Sequence, residues 1–185
     1  LQVLIYPVTD GRMGAKSWGD EDKQLFLTSD IMAFFWEHYA DSSQRLNHRA
    51  SPLLADNLSN LPPAVVLTAQ YDILVDEGKA YAEALEAAGV TVSYKDFAQQ
   101  MHGFFAMPAA LPAAGKAMQW LAQEMDRRLT AAERKDVVVV GAGAVGCLTA
   151  RIAARTPGCE VTLVDIDARR APIAHALGCL LYTSD

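Results

Sequence analysis

The chain has 185 residues, 51% hydrophobic and 21% charged, so it can bury a core and is not disordered by composition. Its formal net charge of −6 and sequence pI near 5.2 argue against a general affinity for nucleic-acid phosphates. No apolar run approaches the length that crosses a bilayer, and no signal peptide is recognisable, which argues against a membrane span.

The cysteine content indicates a reducing environment. The sequence holds 3 cysteines, an odd number, and they lack the spacing of metal ligands. This pattern predicts neither a disulfide framework nor a zinc site, and we expect a cytoplasmic protein.

The first predicted element is a buried strand. Residues 1–8, LQVLIYPV, form a near-continuous apolar run, which is typical of a strand covered on both faces of a parallel sheet. Because a folded protein rarely starts inside such a strand, and the first residue is not Met, we expect a fragment whose beginning lies upstream. After a polar loop, residues 29–40 predict a helix with Ser29 or Asp30 as its N-cap. Its aromatic side chains are too many for one stripe, so we expect this helix to be well covered.

The following elements continue the alternation of strands and helices. Residues 62–70, PPAVVLTAQ, predict a second buried strand, and residues 75–89 predict a helix that stops at Gly89. Residues 90–97, VTVSYKDF, predict a third strand nearer an edge, and residues 112–129 predict an amphipathic helix. This order predicts an α/β fold in which helices flank a parallel sheet.

Two side chains that follow neighbouring predicted strands suggest an acid–base pair. Asp72 comes just after the second strand, and His102 lies in the loop after the third. Because the carboxyl ends of parallel strands meet at one edge of a sheet, we expect these side chains within reach of each other. An Asp that accepts from one imidazole nitrogen would allow the other nitrogen to deprotonate a serine. In the alternative, which position and spacing alone favour, Asp72 caps the helix at Val75 and His102 is a packing residue.

A family resemblance favours the acid–base pair over the capping and packing alternative. Three stretches carry it: QVLIYPVTD, RASPLLADNLSNLPPAVVLTAQYDILVDEGKAYAEALEAAGV and MHGFFAMPAALPAAGKAMQWL. Through them, residues 1–128 resemble the C-terminal half of the hormone-sensitive-lipase-like family of α/β-hydrolases, in which the acid precedes the histidine. The resemblance implies hydrolysis of a small-molecule carboxylic ester by a Ser-Asp-His triad, without a cofactor. Asp72 matches the acid of that triad and His102 its base, while Asp76 and Glu77 match acids taken as structural.

The serine of that triad has no counterpart in the sequence. The family's nucleophile lies in a G-x-S-x-G elbow, and no serine of this chain has that context. The HGGG-type oxyanion loop is also missing. We therefore expect the nucleophile to lie upstream of Leu1, and the chain alone to be inactive because it cannot form an acyl-enzyme.

A glycine-rich turn follows a short charged linker at residues 129–135. VVVVGAGAVG runs from a predicted strand into Gly141, Gly143 and Gly146. Glycines at this spacing allow a tight turn, close approach of a pyrophosphate and close helix packing. Asp165 ends the next predicted strand about 20 residues on, where an acid accepts from ribose hydroxyls and favours NAD over NADP.

The same segment resembles a second family. Residues 136–178, through GAGAVGCLTARIAARTPGCEVTLVDIDARR and AHALG, resemble the nucleotide-binding domain of zinc-dependent medium-chain alcohol dehydrogenases. This resemblance implies an incomplete Rossmann β-α-β-α unit with NAD as its cofactor. FAD-linked oxidoreductases share the glycine turn and are the alternative, and an ordinary β-α turn is a further one. The adjacent Arg169 and Arg170 weigh against the preference for NAD over NADP.

The end of the sequence departs from that pattern. Residues 179–185, CLLYTSD, stand where a third strand should begin, and we interpret them as a non-native tail translated from a sequencing adapter. The join near residues 129–135 is then chimeric, whereas the alternative is a natural fusion that is cut short. A second functional hypothesis is a non-catalytic protein that binds a nucleotide through the glycine turn. The remaining histidines lack metal-ligand spacing, so no metal site is predicted, and the oligomeric state is left open.

Overall fold

Six strands and four α-helices can be followed along the described part of the chain. The structure is a computed structural model, and it describes residues 1–129, 135–140, 154, 159–164, 171–176 and 179–182. One compact unit comprises Leu4–Phe104, and another comprises Leu1–Val3 with Phe105–Asp185. None of the helices in these ranges is both long and apolar enough to cross a membrane.

The elements follow the predicted order. The strands are β1 (Gln2–Ile5), β2 (Ala64–Tyr71), β3 (Val92–Met101), β4 (Lys135–Val140), β5 (Cys159–Val164) and β6 (Leu180–Tyr182). The helices are α1 (Ser29–Tyr39), α2 (Val75–Ala87), α3 (Pro112–Leu129) and α4 (Ala171–Ala176). The prediction of an α/β fold with flanking helices is confirmed, and the domain boundaries expected from the sequence stay predictions.

The first sheet has the order β1-β2-β3, with β2 in the centre. Strands β2 and β3 run parallel, and their register pairs Ala64 with Val92 and Ala69 with Phe97. The side chains of β2 from Ala64 to Leu67 are fully buried, which agrees with the prediction of a strand covered on both faces. Strand β3 is the outer strand of this sheet, as its sequence pattern indicated, but its exposure does not alternate regularly: Phe97 is its buried residue, with exposed residues on both sides.

Helix α2 packs against β2 and closes one core cluster. The buried members of this cluster are Leu58, Ala64, Val66, Tyr81, Ala82, Leu85 and Val90. Close packing depends on Gly78, because a Cβ atom there would lie 2.9 Å from Cγ2 of Thr68. The helix ends before Gly89, whose φ of +83° suits a residue without a side chain.

Helix α1 differs from the prediction in its cap and in its burial. The N-cap is Thr28, one residue earlier than expected, and its side chain accepts from the backbone N–H of Ile31. The expectation that the helix is well covered is wrong: Phe34 and Phe35 are more than half exposed in the described chain. The buried residues of α1 are Met32 and Trp36, so only a narrow stripe of this helix faces the core.

The second sheet has the order β4-β5-β6. Strands β4 and β5 pair in parallel along their whole length, from Lys135 opposite Cys159 to Val140 opposite Val164. Strand β6 pairs in parallel with β5 and lies within the seven residues interpreted above as a non-native tail. The glycine-rich turn between β4 and β5 lies outside the described residues.

Candidate active site

Asp72 and His102 meet in a short hydrogen bond. The imidazole Nδ1 of His102 lies 2.7 Å from Oδ2 of Asp72. The carboxylate side chain is only 1% exposed, whereas the imidazole is 24% exposed. A buried acid thus holds a histidine that reaches the surface, which leaves its second ring nitrogen available to a ligand.

The position of Asp72 follows from the turn between β2 and α2. Its other carboxylate oxygen, Oδ1, accepts from the backbone N–H of Leu74 at 3.0 Å, and its carbonyl accepts from the N–H of Val75. The N-cap of α2 is Leu74 and has no side-chain cap, so the Asp72 carboxylate does not cap the helix at Val75; it holds the turn before the helix and meets His102. The carboxylate is oriented by the start of α2, so the helix fixes the direction from which it meets the imidazole.

The position of His102 follows from an irregularity in β3. The register of β2 and β3 shifts between Ala69 and Tyr71, where β3 contains extra residues. Gln99 in this bulge has a φ of +61°, and its N–H donates to Oε1 of Gln70 at 2.7 Å. A bulge turns a strand and redirects the side chains that follow it. After this bulge, the pairing of β3 with β2 ends at Met101, one residue before His102.

Aromatic rings surround the imidazole. The ring of Tyr6 lies 4.8 Å from that of His102, and the ring of Phe26 lies parallel to it at 6.5 Å. Tyr6 is buried and has a φ of +50°, an uncommon conformation for a residue with a side chain. Phe104 is fully buried and contacts Tyr6 edge to face. Gly103, with a φ of +83°, allows the chain to turn tightly between His102 and Phe104.

Glu77 is a buried carboxylate whose partners the sequence did not reveal. Its Oε1 accepts from the backbone N–H of Thr9 at 2.7 Å and from that of Asp10, and its Oε2 accepts from the indole of Trp18 at 2.8 Å. The family resemblance had indicated only that this acid is structural. In the structure this side chain fastens the loop after β1 to the first turn of α2, directly beyond the Asp72 turn.

Burial dominates the electrostatics of Glu77. The carboxyl is 2% exposed, and this desolvation raises its pKa from 4.5 to about 7. The hydrogen bonds from Thr9, Trp18 and Asp10 favour the charged form but offset the burial only in part. Glu77 therefore titrates near neutral pH while it holds three donors in place.

The residues of the glycine-rich constellation cannot be placed in the same way. Gly141, Gly143, Gly146 and Asp165 lie outside the described residues. Within the residues that the structure describes, no cluster of His, Cys, Asp and Glu side chains is arranged to hold a metal ion. The Asp72–His102 pair is thus the candidate site whose geometry can be examined.

Sequence comparison connects this geometry to a family. Residues 1–106 match the family described as alpha/beta hydrolase fold. The ethyl acetate hydrolase of Pseudomonas putida is 35% identical over 130 residues, which are 70% of this chain and 41% of that protein. The arylesterase of Saccharolobus solfataricus is 36% identical over 110 residues, 58% of this chain and 36% of that protein. The chain therefore spans about two fifths of the length of these relatives.

Solved structures show the same relationship. A thermostable esterase from Pseudomonas putida superposes with a TM-score of 0.59 at 39% identity, over 64% of this chain and 39% of that chain. An esterase from Pyrobaculum calidifontis gives a TM-score of 0.61 at 37% identity, over 66% and 41% of the two chains. The family match covers more than half of the sequence and includes the whole Asp72–His102 pair. The chain belongs to the alpha/beta hydrolase fold family.

Proposed function

We propose that this chain carries the acid and the base of a serine carboxylic-ester hydrolase. The observation that carries the proposal is the 2.7 Å contact between Asp72 Oδ2 and His102 Nδ1, made by a buried carboxylate to a partly exposed imidazole. Such a pair keeps the proton on Nδ1 and leaves Nε2 as a proton acceptor. The esterase names of several relatives favour ester hydrolysis over the other reactions of this fold.

The proposed reaction uses Nε2 of His102 twice. It first takes the proton from a serine Oγ as that oxygen bonds to the ester carbonyl carbon, and Asp72 stabilises the imidazolium that forms. The imidazolium then gives the proton to the alcohol oxygen as the bond from acyl carbon to alkoxy oxygen breaks. In the second use, Nε2 takes a proton from water as the water oxygen bonds to the acyl carbon, and the imidazolium then returns the proton to the serine Oγ as the bond from acyl carbon to Oγ breaks and the acid leaves.

The nucleophile in this proposal comes from sequence outside these 185 residues. Within the described ranges, the hydrogen bond of His102 is made to Asp72 and not to a serine. The two fully buried serines of the first unit have other partners: Ser17 Oγ donates to the carbonyl of Ile73, and Ser51 Oγ donates to that of Arg45. These two hydroxyls therefore bind backbone carbonyls and not the imidazole of His102.

The substrate class that we propose is a small carboxylic ester. The relatives include an ethyl acetate hydrolase and an arylesterase, and the first is named for a small ester. The mechanism above needs no cofactor, because the charge that develops on the imidazole is compensated by Asp72. The exposed ring of Phe26, which stacks on His102, offers an apolar surface to such an ester.

Activity measurements with and without an upstream half test the proposal. We expect the 185-residue chain to show no His102-dependent hydrolysis of p-nitrophenyl acetate. A chimaera that joins the preceding part of the Pseudomonas putida relative to Leu1 should hydrolyse it, because it unites an elbow serine with the acid and base. In that chimaera His102→Ala should lower kcat about 10⁵-fold or more.

The matched control is His38→Ala, which removes an exposed histidine of α1 that contacts Phe34. It should leave the rate of the chimaera within a few-fold. Hydrolysis by the 185-residue chain that His102→Ala abolishes would place the nucleophile within it and contradict that part of the proposal. A folded chimaera that is inactive, or whose rate is the same with alanine at position 102, would contradict the assignment of the base.

A second candidate function is dinucleotide binding by residues 136–178. The observation in its favour is the parallel pairing of β4 with β5, since a Rossmann unit begins with two parallel strands joined by a helix. The family match ends at residue 106 and therefore does not include this segment. NAD is the ligand that the glycine spacing and Asp165 favour, and FAD is the alternative.

Calorimetric titration of the 185-residue chain with NAD tests the second candidate. Saturable binding is expected to be lost in Gly143→Val, because a side chain there blocks the approach of the pyrophosphate. Gly19→Val is the control, since a Cβ atom at Gly19 meets nothing within 4 Å. Titration with FAD separates the two cofactors, and heats that do not saturate with either would remove this candidate.

A further inference from the structure

The ring of Phe26 covers the histidine of the candidate site. It lies parallel to the imidazole of His102, with an angle of 9° between the planes and 6.5 Å between the centroids. A Cβ atom added to Gly103 would lie 3.4 Å from Cε1 of Phe26. One aromatic side chain thus packs over both the imidazole and the turn that follows it.

The position of Phe26 is fixed by residues near it in the chain, because its own side chain is buried too little to hold it. Its side chain remains 55% exposed, whereas the adjacent Leu27 is buried. Before it, Lys23 donates through Nζ to the carbonyl of Gln70 at 2.7 Å. After it, the hydroxyl of Ser29 donates to the carbonyl of Trp18 at 2.6 Å. Polar bonds on both sides therefore fix the loop, and the loop presents the ring to His102.

The imidazole needs such a restraint because its hydrogen bond to Asp72 fixes only one of its atoms. A ring that is 24% exposed can tilt or rotate about its bond to Cβ, and a half-turn would put Cδ2 in the place of Nδ1 and Cε1 in the place of Nε2. A parallel aromatic ring resists tilting, since the tilt would replace the stacked contact by a clash or a gap. Tyr6, at 4.8 Å, provides a second contact from a buried position.

We propose that Phe26 is a positioning residue for His102. It keeps the imidazole in the plane in which Nδ1 meets Asp72, and so keeps Nε2 directed at the substrate. The inference rests on the proposed function for its catalytic meaning, but the restraint itself is a property of the 185-residue chain. It can therefore be measured without any activity.

The test compares two phenylalanines that are equally exposed. Phe26 and Phe34 are each 55% exposed, and each contacts a histidine, His102 and His38 respectively. The readout is the nitrogen-15 spectrum of the neutral imidazole, which reports which nitrogen carries the proton, together with the exchange rate of the Nδ1–H proton. In the unchanged chain His102 is expected in a single tautomer, protonated at Nδ1.

Phe26→Ala is expected to mix the two tautomers of His102 and to speed exchange of the Nδ1–H proton about 5- to 10-fold. Phe34→Ala should leave both signals of His102 unchanged. Phe26→Trp should restore the single tautomer, whereas Phe26→Leu, which fills the loop without a flat ring, should not. If Phe26→Ala does not fold, Phe26→Leu carries the same expectation.

A single tautomer with unchanged exchange in folded Phe26→Ala or Phe26→Leu would overturn the inference. So would an equal effect of Phe34→Ala, which would indicate a general loss of order. Because the spectra are recorded on the chain itself, this outcome is separate from the chimaera assay. An inactive chimaera with a restrained imidazole would contradict the proposed function alone.

Discussion

Replacing Asp72 by asparagine is expected to lower the kcat of ester hydrolysis about 10⁴-fold in the active chimaera. An asparagine has nearly the same shape, so its Oδ1 can still accept from the N–H of Leu74. Its amide would then face Nδ1 of His102 with a donor, and the imidazole would have to accept there. The proton would move to Nε2, which could no longer take one from the serine.

The measurement is kcat with p-nitrophenyl acetate over a range of pH. Asp76→Asn is the control, because Asp76 also accepts from a backbone N–H, that of Ser17 at 2.9 Å. No described contact joins it to His102, so we expect a rate within a few-fold of the unchanged chimaera. A loss of less than about 10-fold in Asp72→Asn would show that this carboxylate does not set the tautomer.

Replacing Glu77 by alanine is expected to lower the free energy of unfolding by about 4 kcal/mol. The change leaves three buried donors without their acceptor: the backbone N–H groups of Thr9 and Asp10 and the indole N–H of Trp18. Each unsatisfied buried donor costs about 1–3 kcal/mol, and they are not fully additive. Urea unfolding followed by tryptophan fluorescence measures the loss.

The pKa of Glu77 adds a dependence of stability on pH. Burial raises this pKa from 4.5 to about 7. Between these two pH values, Glu77 is therefore protonated in the folded chain and ionised in the unfolded chain. The contribution of Glu77 to stability is therefore complete below pH 4.5 and is lost as the pH rises through about 7. The total change corresponds to about 3 kcal/mol.

Glu77→Gln isolates this effect, since glutamine does not titrate. We expect the stability of the unchanged chain, relative to this variant, to fall by about 3 kcal/mol between acid and weakly alkaline pH. Glu83→Gln is the control on the same helix, because Glu83 is exposed and forms a surface ion pair with Lys79, at 3.7 Å. A stability difference between the chain and Glu77→Gln that does not change with pH would show that folding does not raise the pKa of Glu77.

The regular elements were the part of the structure that the sequence predicted best. Strand β2 and helix α2 have apolar patterns and end signals that are local in the chain, such as Gly89 with its positive φ. The burial of α1 was predicted wrongly, because its many aromatic residues do not say which of them find a partner. The buried residues of α1 are Met32 and Trp36, whereas Phe34 and Phe35 remain exposed and Phe34 contacts only side chains of the same helix among the described contacts.

The sequence by itself therefore determined the alternation of strands and helices, and with it the edge at which Asp72 and His102 could meet. Tertiary structure decided whether they do. The 2.7 Å contact depends on the bulge at Gln99, where β3 departs from the register of β2, and no local pattern specifies such a departure. The same holds for Glu77 and Phe26, whose partners lie far away in the chain. Long-range contacts of this kind arise only when the loops are closed, which is why composition and periodicity did not reveal them.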